Sequence, residues 1–338
     1  MKYFKRYLAV IMTAAMIFSF AACKGNDTAT TTATTPAATQ TPQVDQILPS
    51  EDYENKIRIA TTNDFLGLVT SKIATDRSYA CDIINSCTDY EEVASKLLAS
   101  EADIGVLPLN KAVELYSESD GGIKIISAAS GISLQVITSN ESVTSISSLK
   151  GKTVYSAVGG TYAEDTVKYL FDKNGVSFDD VIVSDGLTYT EIADKAVAGE
   201  IDICILPEPY ASSVCVQNES FSRAVSFNTE YEEESGCNSL QGCFVARTEY
   251  IENNAEFVNE FMGFCLTYTN YFNDFTEGAA VELDTNNYFS SSALAYETIV
   301  NSNLKYAEDE DLIALVESNI AATIETDVTA EEICYITE

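Results

Sequence analysis

Four short loops hold the residues with the most chemical promise. "PEPY", residues 207–210, follows an apolar run and sets a carboxylate, Glu208, two positions from an aromatic hydroxyl, Tyr210. A carboxylate just beyond a buried strand is costly unless a donor meets it, and tyrosine offers a flat apolar face together with a hydroxyl. The pair suits a neutral or amine-bearing polar ligand better than a bare inorganic anion. The alternative is that Glu208 faces solvent at a lip and Tyr210 packs beneath the loop. "AVGGTYAED" sets Gly159, Gly160, Thr161 and Tyr162 ahead of a helical pattern. Glycines permit close backbone approach, and Thr161 is expected to open a helix whose first N–H groups lack partners. Such an end attracts carboxylate, sulfonate or phosphate by about 0.3–1 kcal/mol, or it is a plain cap and turn. Thr61, Thr62, Asn63 and Asp64 hold the matching place after the first apolar run. In "PLN", Leu109 and Asn110 follow Pro108; Asn110 can donate and accept, and is equally a plain helix cap.

Other chemistry is excluded by composition. The chain has no histidine, which removes Ser-His-Asp triads, Cys-His dyads and histidine-bearing zinc sites. It has neither GxxxxGK[ST] nor GxGxxG, and no two carboxylates fall together in a loop suited to paired acid–base work. No enzymatic activity, cofactor or metal is expected. With 19 basic against 52 acidic residues, a net of −33, the surface repels nucleic acid and anionic lipid.

The elements that must hold these loops are written twice. "EEVASKLLASEADIGVLP" (91–108) and "TEIADKAVAGEIDICILP" (190–207) align without a gap at a spacing of 99 residues, with nine of eighteen positions identical. In the first copy Tyr90, Val93, Ala94, Leu97 and Leu98 form one apolar stripe at helical spacing. An acidic turn and the apolar run 104–107 follow, short enough for a strand covered on both faces, and Pro108 stops it. The second copy repeats this with Ile192, Ala196 and Val197, the run 201–206 and Pro207. Each copy is a helix feeding a buried parallel strand. In open α/β sheets ligands lie beyond the carboxyl ends of the strands, which puts both proline loops on a crevice. Two βαβ units side by side in one sheet would read the same way.

At the N-terminus, Lys2, Lys5 and Arg6 precede an apolar stretch too short to span a bilayer comfortably. It ends in Ala21-Ala22 before Cys23 and resembles a bacterial lipoprotein signal (1–22), with Cys23 lipidated; a plain secretory signal would also export the protein. Eight of the fifteen residues 28–42 are threonine, so 23–55 reads as a tether unable to bury enough apolar surface to fold. Eight cysteines follow Cys23. Most are expected to be reduced, with Cys237–Cys243 and Cys81–Cys87 left as possible disulfides.

Downstream, "IKIISAASGISLQVITS" (123–139) is strand-like, and "SRAVSFNTEYEEESGCNSLQGCFVAR" (222–247) reads as two strands around an acidic loop. From Tyr250 onward the pattern is helical. "ADIGVLPLNKAVELY", "SLKGKTVYSAVGGTYAEDTVKYLFDKNGV", "AGEIDICILPEPYAS" and "QGCFVARTEYIENNAEFVNEF" together resemble the solute-binding proteins of bacterial ABC importers. The branch is the one grouped with nitrate, sulfonate, taurine and thiamine-pyrimidine binders. The resemblance covers roughly residues 56–304. It implies a type 2 periplasmic-binding fold: two α/β lobes, 56–137 with 243–338 and 138–242, joined by crossing strands near 133–139 and 242–247. It also implies a helical C-terminus packed on the first lobe. Enzymes of thiamine-pyrimidine synthesis share the fold but, by the same resemblance, need histidine and a cysteine cluster that this chain lacks. The expected function is capture of a small polar metabolite in the inter-lobe cleft and delivery to an ABC permease, by a monomer anchored extracytoplasmically, on the outer face of the cytoplasmic membrane or in the periplasm. The competing class is a surface interaction or adhesive lipoprotein without a transported ligand.

Overall fold

The computed structural model describes residues 57–76 and 81–337. The expected signal, Cys23 and the threonine-rich tether lie outside the described residues, as does the side chain of Cys81. The described chain begins with β1 (Ile57–Thr62), a 3-10 turn (Phe65–Gly67), α1 (Leu68–Asp76), β2 (Cys81–Cys87), α2 (Tyr90–Leu98), β3 (Ile104–Pro108), α3 (Leu109–Glu118) and β4 (Ile123–Ser130). It continues through β5 (Gln135–Thr138), a 3-10 turn (Ile146–Leu149), β6 (Val154–Tyr155), α4 (Glu164–Lys173), α5 (Phe178–Val181) and β7 (Ile182–Val183). Then come α6 (Tyr189–Val197), β8 (Ile203–Leu206), α7 (Tyr210–Gln217), β9 (Ser222–Ser226) and α8 (Phe227–Ser235). The return is β10 (Gly242–Arg247), followed by α9 (Thr248–Asp274), α10 (Thr276–Thr285), α11 (Ser292–Asn301), α12 (Asp309–Thr323) and α13 (Ala330–Ile333).

The two repeat copies fold alike. Asp89 accepts from the Glu92 N–H at 2.8 Å to start α2, and Thr188 forms a capping box with Glu191 to start α6. Val93, Ala94 and Leu97 on one helix, and Ile192, Ala193 and Ala196 on the other, are buried against their strands. Each large aliphatic side chain so buried contributes about 1.5–3 kcal/mol. Gly105 shows how close the packing is: a Cβ there would sit 2.9 Å from both Leu97 and Val93.

The copies occupy different sheets. One sheet runs β2-β1-β3-β10-β4 and the other β7-β6-β8-β5-β9. In each, the repeat strand is central, parallel to the first strand of its half (β3 to β1, β8 to β6) and antiparallel to a strand arriving from the other half (β3 to β10, β8 to β5). The single-sheet alternative is therefore ruled out. The first crossing falls at residues 131–134, a little earlier than expected, because β5 pairs wholly with β8 and β9. The second falls at 236–241, since β10 from Gly242 onward already pairs with β3 and β4. The two crossings are cross-linked. Ile132 N–H meets Asn228 Oδ1 and Ser239 Oγ, and Ser133 N–H donates to Gln241 Oε1 at 2.7 Å. Gly131 is needed there, as a Cβ would lie 2.5 Å from Ser239 Oγ.

One expectation fails. The acidic stretch after β9 is not a loop but α8, capped by Ser226, closed by Gly236 in the left-handed region and buried through Phe227 and Tyr231. Two aromatic anchors one helical turn apart outweigh a run of glutamates of which Glu233 and Glu234 face water and Glu232 accepts from the Ser239 N–H. Cys237 and Cys243 are both free thiols, and burial pushes the thiol of Cys204, in β8, up to about 12. The C-terminal helices pack on the first sheet through α9 and α12, while α11 also meets α7 and α12 meets α4. No described helix is long and apolar enough to cross a membrane.

Candidate functional site

Pro108 and Pro207, at the carboxyl ends of the two repeat strands, line one partly open cleft of about 840 Å³. The first wall comes from the β1 loop and the start of α2. Asp64 caps the turn after β1 by accepting from the Leu66 N–H at 2.9 Å, and its other oxygen takes the Tyr90 hydroxyl at 2.7 Å. Burial pushes the Asp64 carboxyl above its ordinary value, against the opposing Tyr90 hydroxyl and the Leu66 and Gly67 N–H groups. Thr62, only 5% exposed, lies beside this pair, and its hydroxyl makes no hydrogen bond of normal geometry.

The second wall is aromatic. Tyr189, first residue of α6, stacks on Tyr210, first residue of α7, with ring centroids 5.8 Å apart and 29° between planes. Burial raises the Tyr189 hydroxyl to about 12. Tyr162 reaches across the cleft: its ring meets Tyr90 edge-on at 6.3 Å, its hydroxyl donates to Glu91, and its carbonyl accepts from Asn110 Nδ2 at 2.8 Å. At the back, Gln241 joins the hinge to the cleft.

The structure divides the sequence candidates. Thr62, Asp64, Asn110, Gly160, Thr161, Tyr162, Glu208 and Tyr210 line the cleft. Thr61, Asn63, Leu109 and Gly159 do not. Strand alternation turns Thr61 away to Thr70, 3.4 Å between hydroxyls, and Leu109 enters the first core while its N–H donates to Gln241. Asn63 and Gly159 are exposed. The expected helix opening at Thr161 comes later, at Glu164, and Glu164 reaches back to accept the Gly160 N–H. With Glu164 and Asp165 in its first turn, α4 supplies its own anions.

Glu208 finds its donors inside the protein. It is 1% exposed, accepts from the Ser212 N–H at 3.1 Å and pairs with Arg223 Nη2 at 3.1 Å. Arg223 in turn bonds Ser212 Oγ at 2.7 Å and Glu297 of α11 at 3.2 Å. Burial still leaves the carboxyl above its ordinary value. Neither the solvent-lip alternative nor a free acceptor for a ligand describes it.

Sequence reasoning missed Tyr90 as a site residue, taking it for core, and missed Tyr189, Glu91, Glu114 and Gln241 altogether. A signal for two of them existed: Tyr90 and Tyr189 are themselves 99 residues apart, so the repeat extends one residue upstream and delivers one tyrosine to each wall.

Residues 81–271, more than half of the chain, match the family model described as NMT1/THI5 like. The chain belongs to that family. Its two-sheet α/β architecture is the periplasmic-binding-protein fold of the solved structures that resemble it. An ABC transporter structure from Parabacteroides distasonis superposes with a TM-score of 0.66 at 16% identity, covering 84% of this chain and 96% of that one. The periplasmic aliphatic sulphonate binding protein SsuA from Escherichia coli gives 0.65 at 12% identity, covering 84% and 92%. A putative sulfonate ABC transporter periplasmic binding protein from Methylobacillus flagellatus gives 0.61 at 14%, covering 83% and 92%. No curated protein matches. Two of these three neighbours are named as periplasmic binding proteins, and two as ABC transporter proteins.

Proposed function

We propose that this chain captures a small polar metabolite between its two halves, which act as lobes, and hands it to an ABC permease. One observation carries the reading. The two proline-ended strands belong to separate sheets, yet they meet at a single cleft lined by hydroxyls, carboxylates, two amides and four tyrosines. A volume of about 840 Å³ is ample for a metabolite, since small-molecule sites run from about 300 to 1,000 Å³. The family and the importer-associated neighbours support it. On this reading the protein works extracytoplasmically as a monomer, held by acyl chains on Cys23 at the end of its threonine-rich tether.

Native mass spectrometry of the protein from its own host should show a retained small molecule, and adding that molecule should raise Tm. A protein that retains nothing and is stabilised by no metabolite belongs to the interaction class instead. Cys23→Ala should move the protein from the membrane to the soluble fraction; continued membrane retention would locate the anchor elsewhere.

A further inference from the structure

We infer that the cleft selects a positively charged nitrogen solute, an amine or ammonium on a small flat or apolar body. The inference rests on the capture reading above and names the class of ligand.

Charge is the first ground. Besides Glu208, the lining holds Asp64, Asp89, Glu91, Glu114, Glu164 and Asp165, and no lysine or arginine. Three cations touch this set from behind. Lys111 serves both Glu91 at 2.8 Å and Glu114 at 3.1 Å, Lys168 serves Glu164, and Arg223 serves Glu208. Carboxylates therefore stay in excess, and Asp64 meets only neutral donors, the Tyr90 hydroxyl and the Leu66 N–H. A walled cleft with one sign of charge concentrates ions of the other sign and repels its own.

Ring faces are the second ground. Tyr90, Tyr162, Tyr189 and Tyr210 all line the cleft, two of them as the stacked pair. Aromatic faces attract cations through their quadrupole, most strongly for weakly hydrated ammonium groups. The protein already uses one face this way, with Lys111 Nζ 5.7 Å from the Tyr162 centroid.

Thr62 adds to both, lying against Asp64 and Tyr90. Its hydroxyl is more than nine-tenths buried, lines the cleft and lacks a hydrogen bond of normal geometry. Its contacts with Asp64 and Tyr90 leave a lone pair that can accept from an N–H beside Asp64. The feature that would have favoured an anion, the start of α4, is taken by Glu164 and Asp165.

The test uses the full chain in two arms. In the first, the molecule released from host-purified protein is weighed and its charge sign determined. In the second, calorimetry and melting compare choline and benzyltrimethylammonium with their neutral counterparts 3,3-dimethylbutan-1-ol and benzyl alcohol, and with ethanesulfonate and benzenesulfonate. A released cation supports the inference. So does an ammonium probe bound at least about tenfold tighter than its neutral counterpart, with affinity falling as salt rises. Asp64→Asn, which keeps the cap on Leu66, should lose about tenfold, and Tyr189→Leu serves if that variant misfolds. A released anion or neutral molecule, or preference for sulfonates, overturns the cationic class while leaving capture intact. Nothing released and no probe bound overturns capture itself.

Discussion

The two walls of the cleft are built from the same repeat and yet meet their surroundings differently. On the first wall Asp64 stays buried with neutral donors only, so its charge is unspent. On the second wall Glu208 is buried more deeply but is spent on Arg223, leaving rings as the exposed chemistry. A loop at the carboxyl end of a β-strand thus holds a carboxylate without a cation partner in one half and a structural tie in the other. What decides is whether a cation lies within reach behind the loop.

The sharpest way to break this contrast is to remove that cation. Arg223→Met strands a fully buried carboxylate and should cost about 3 kcal/mol near pH 7. The Glu208 carboxyl is already held above its ordinary value by burial, and losing Arg223 raises it further. A folded state that binds more protons than the unfolded one gains stability as pH falls. The deficit of Arg223→Met should therefore shrink as pH is lowered toward the ordinary carboxylate range. Denaturant melts at several pH values measure this, and a deficit independent of pH would show that Glu208 does not depend on Arg223. Glu208→Gln should lose stability, because the residue is a tie between β8, α7 and β9.

Next in size is the ring pair. Tyr210→Leu should weaken the retained ligand about tenfold, roughly 1.4 kcal/mol, and Tyr210→Phe should leave affinity unchanged, since stacking on Tyr189 needs no hydroxyl; calorimetry separates the two. Smaller still is Asn110→Ala, which removes the bond to the Tyr162 carbonyl and should cost about 1 kcal/mol of affinity by loosening the meeting of the walls. Smallest is Asp64 itself in the absence of ligand. Its raised carboxyl faces Tyr90, Thr62 and the Leu66 and Gly67 N–H groups, while the Tyr288 hydroxyl donates to the Asp64 backbone carbonyl, and no cation is among them. Wild type should gain Tm relative to Asp64→Asn as pH falls through the raised value; a constant difference would mean that Asp64 titrates normally.

Much of this was legible in residues 90–108 and 189–207, where helical stripe, acidic turn, apolar run and proline all follow from local periodicity. The crossing strands were legible only to within a few residues, because β4 and β5 form one apolar stretch and only pairing partners divide it. Glu208 shows the limit plainly. Sequence says that a buried carboxylate needs a donor, but Arg223, fifteen residues on and across the sheet, is identified only once β9 is placed beside β5. The α8 helix failed for a related reason: its two buried rings count only when a core exists to receive them.

The exchange of strands between the halves has a kinetic consequence. Among the described strands β4 pairs only with β10, and its isolated bridges go to Leu304 and Cys334, later still, so residues 123–130 cannot join the sheet until residues 242–247 have been made and have travelled back past an entire second sheet. Contacts of such long sequence separation slow folding, because the loop must close before any pairing repays it. The nascent chain therefore stays unfinished through about its first 240 residues, with β3 offering a bare edge for most of that time. A fragment ending before Gly242 should be sticky rather than half-functional, and a circular permutant that starts at β10 should reach its native state sooner than the natural order does.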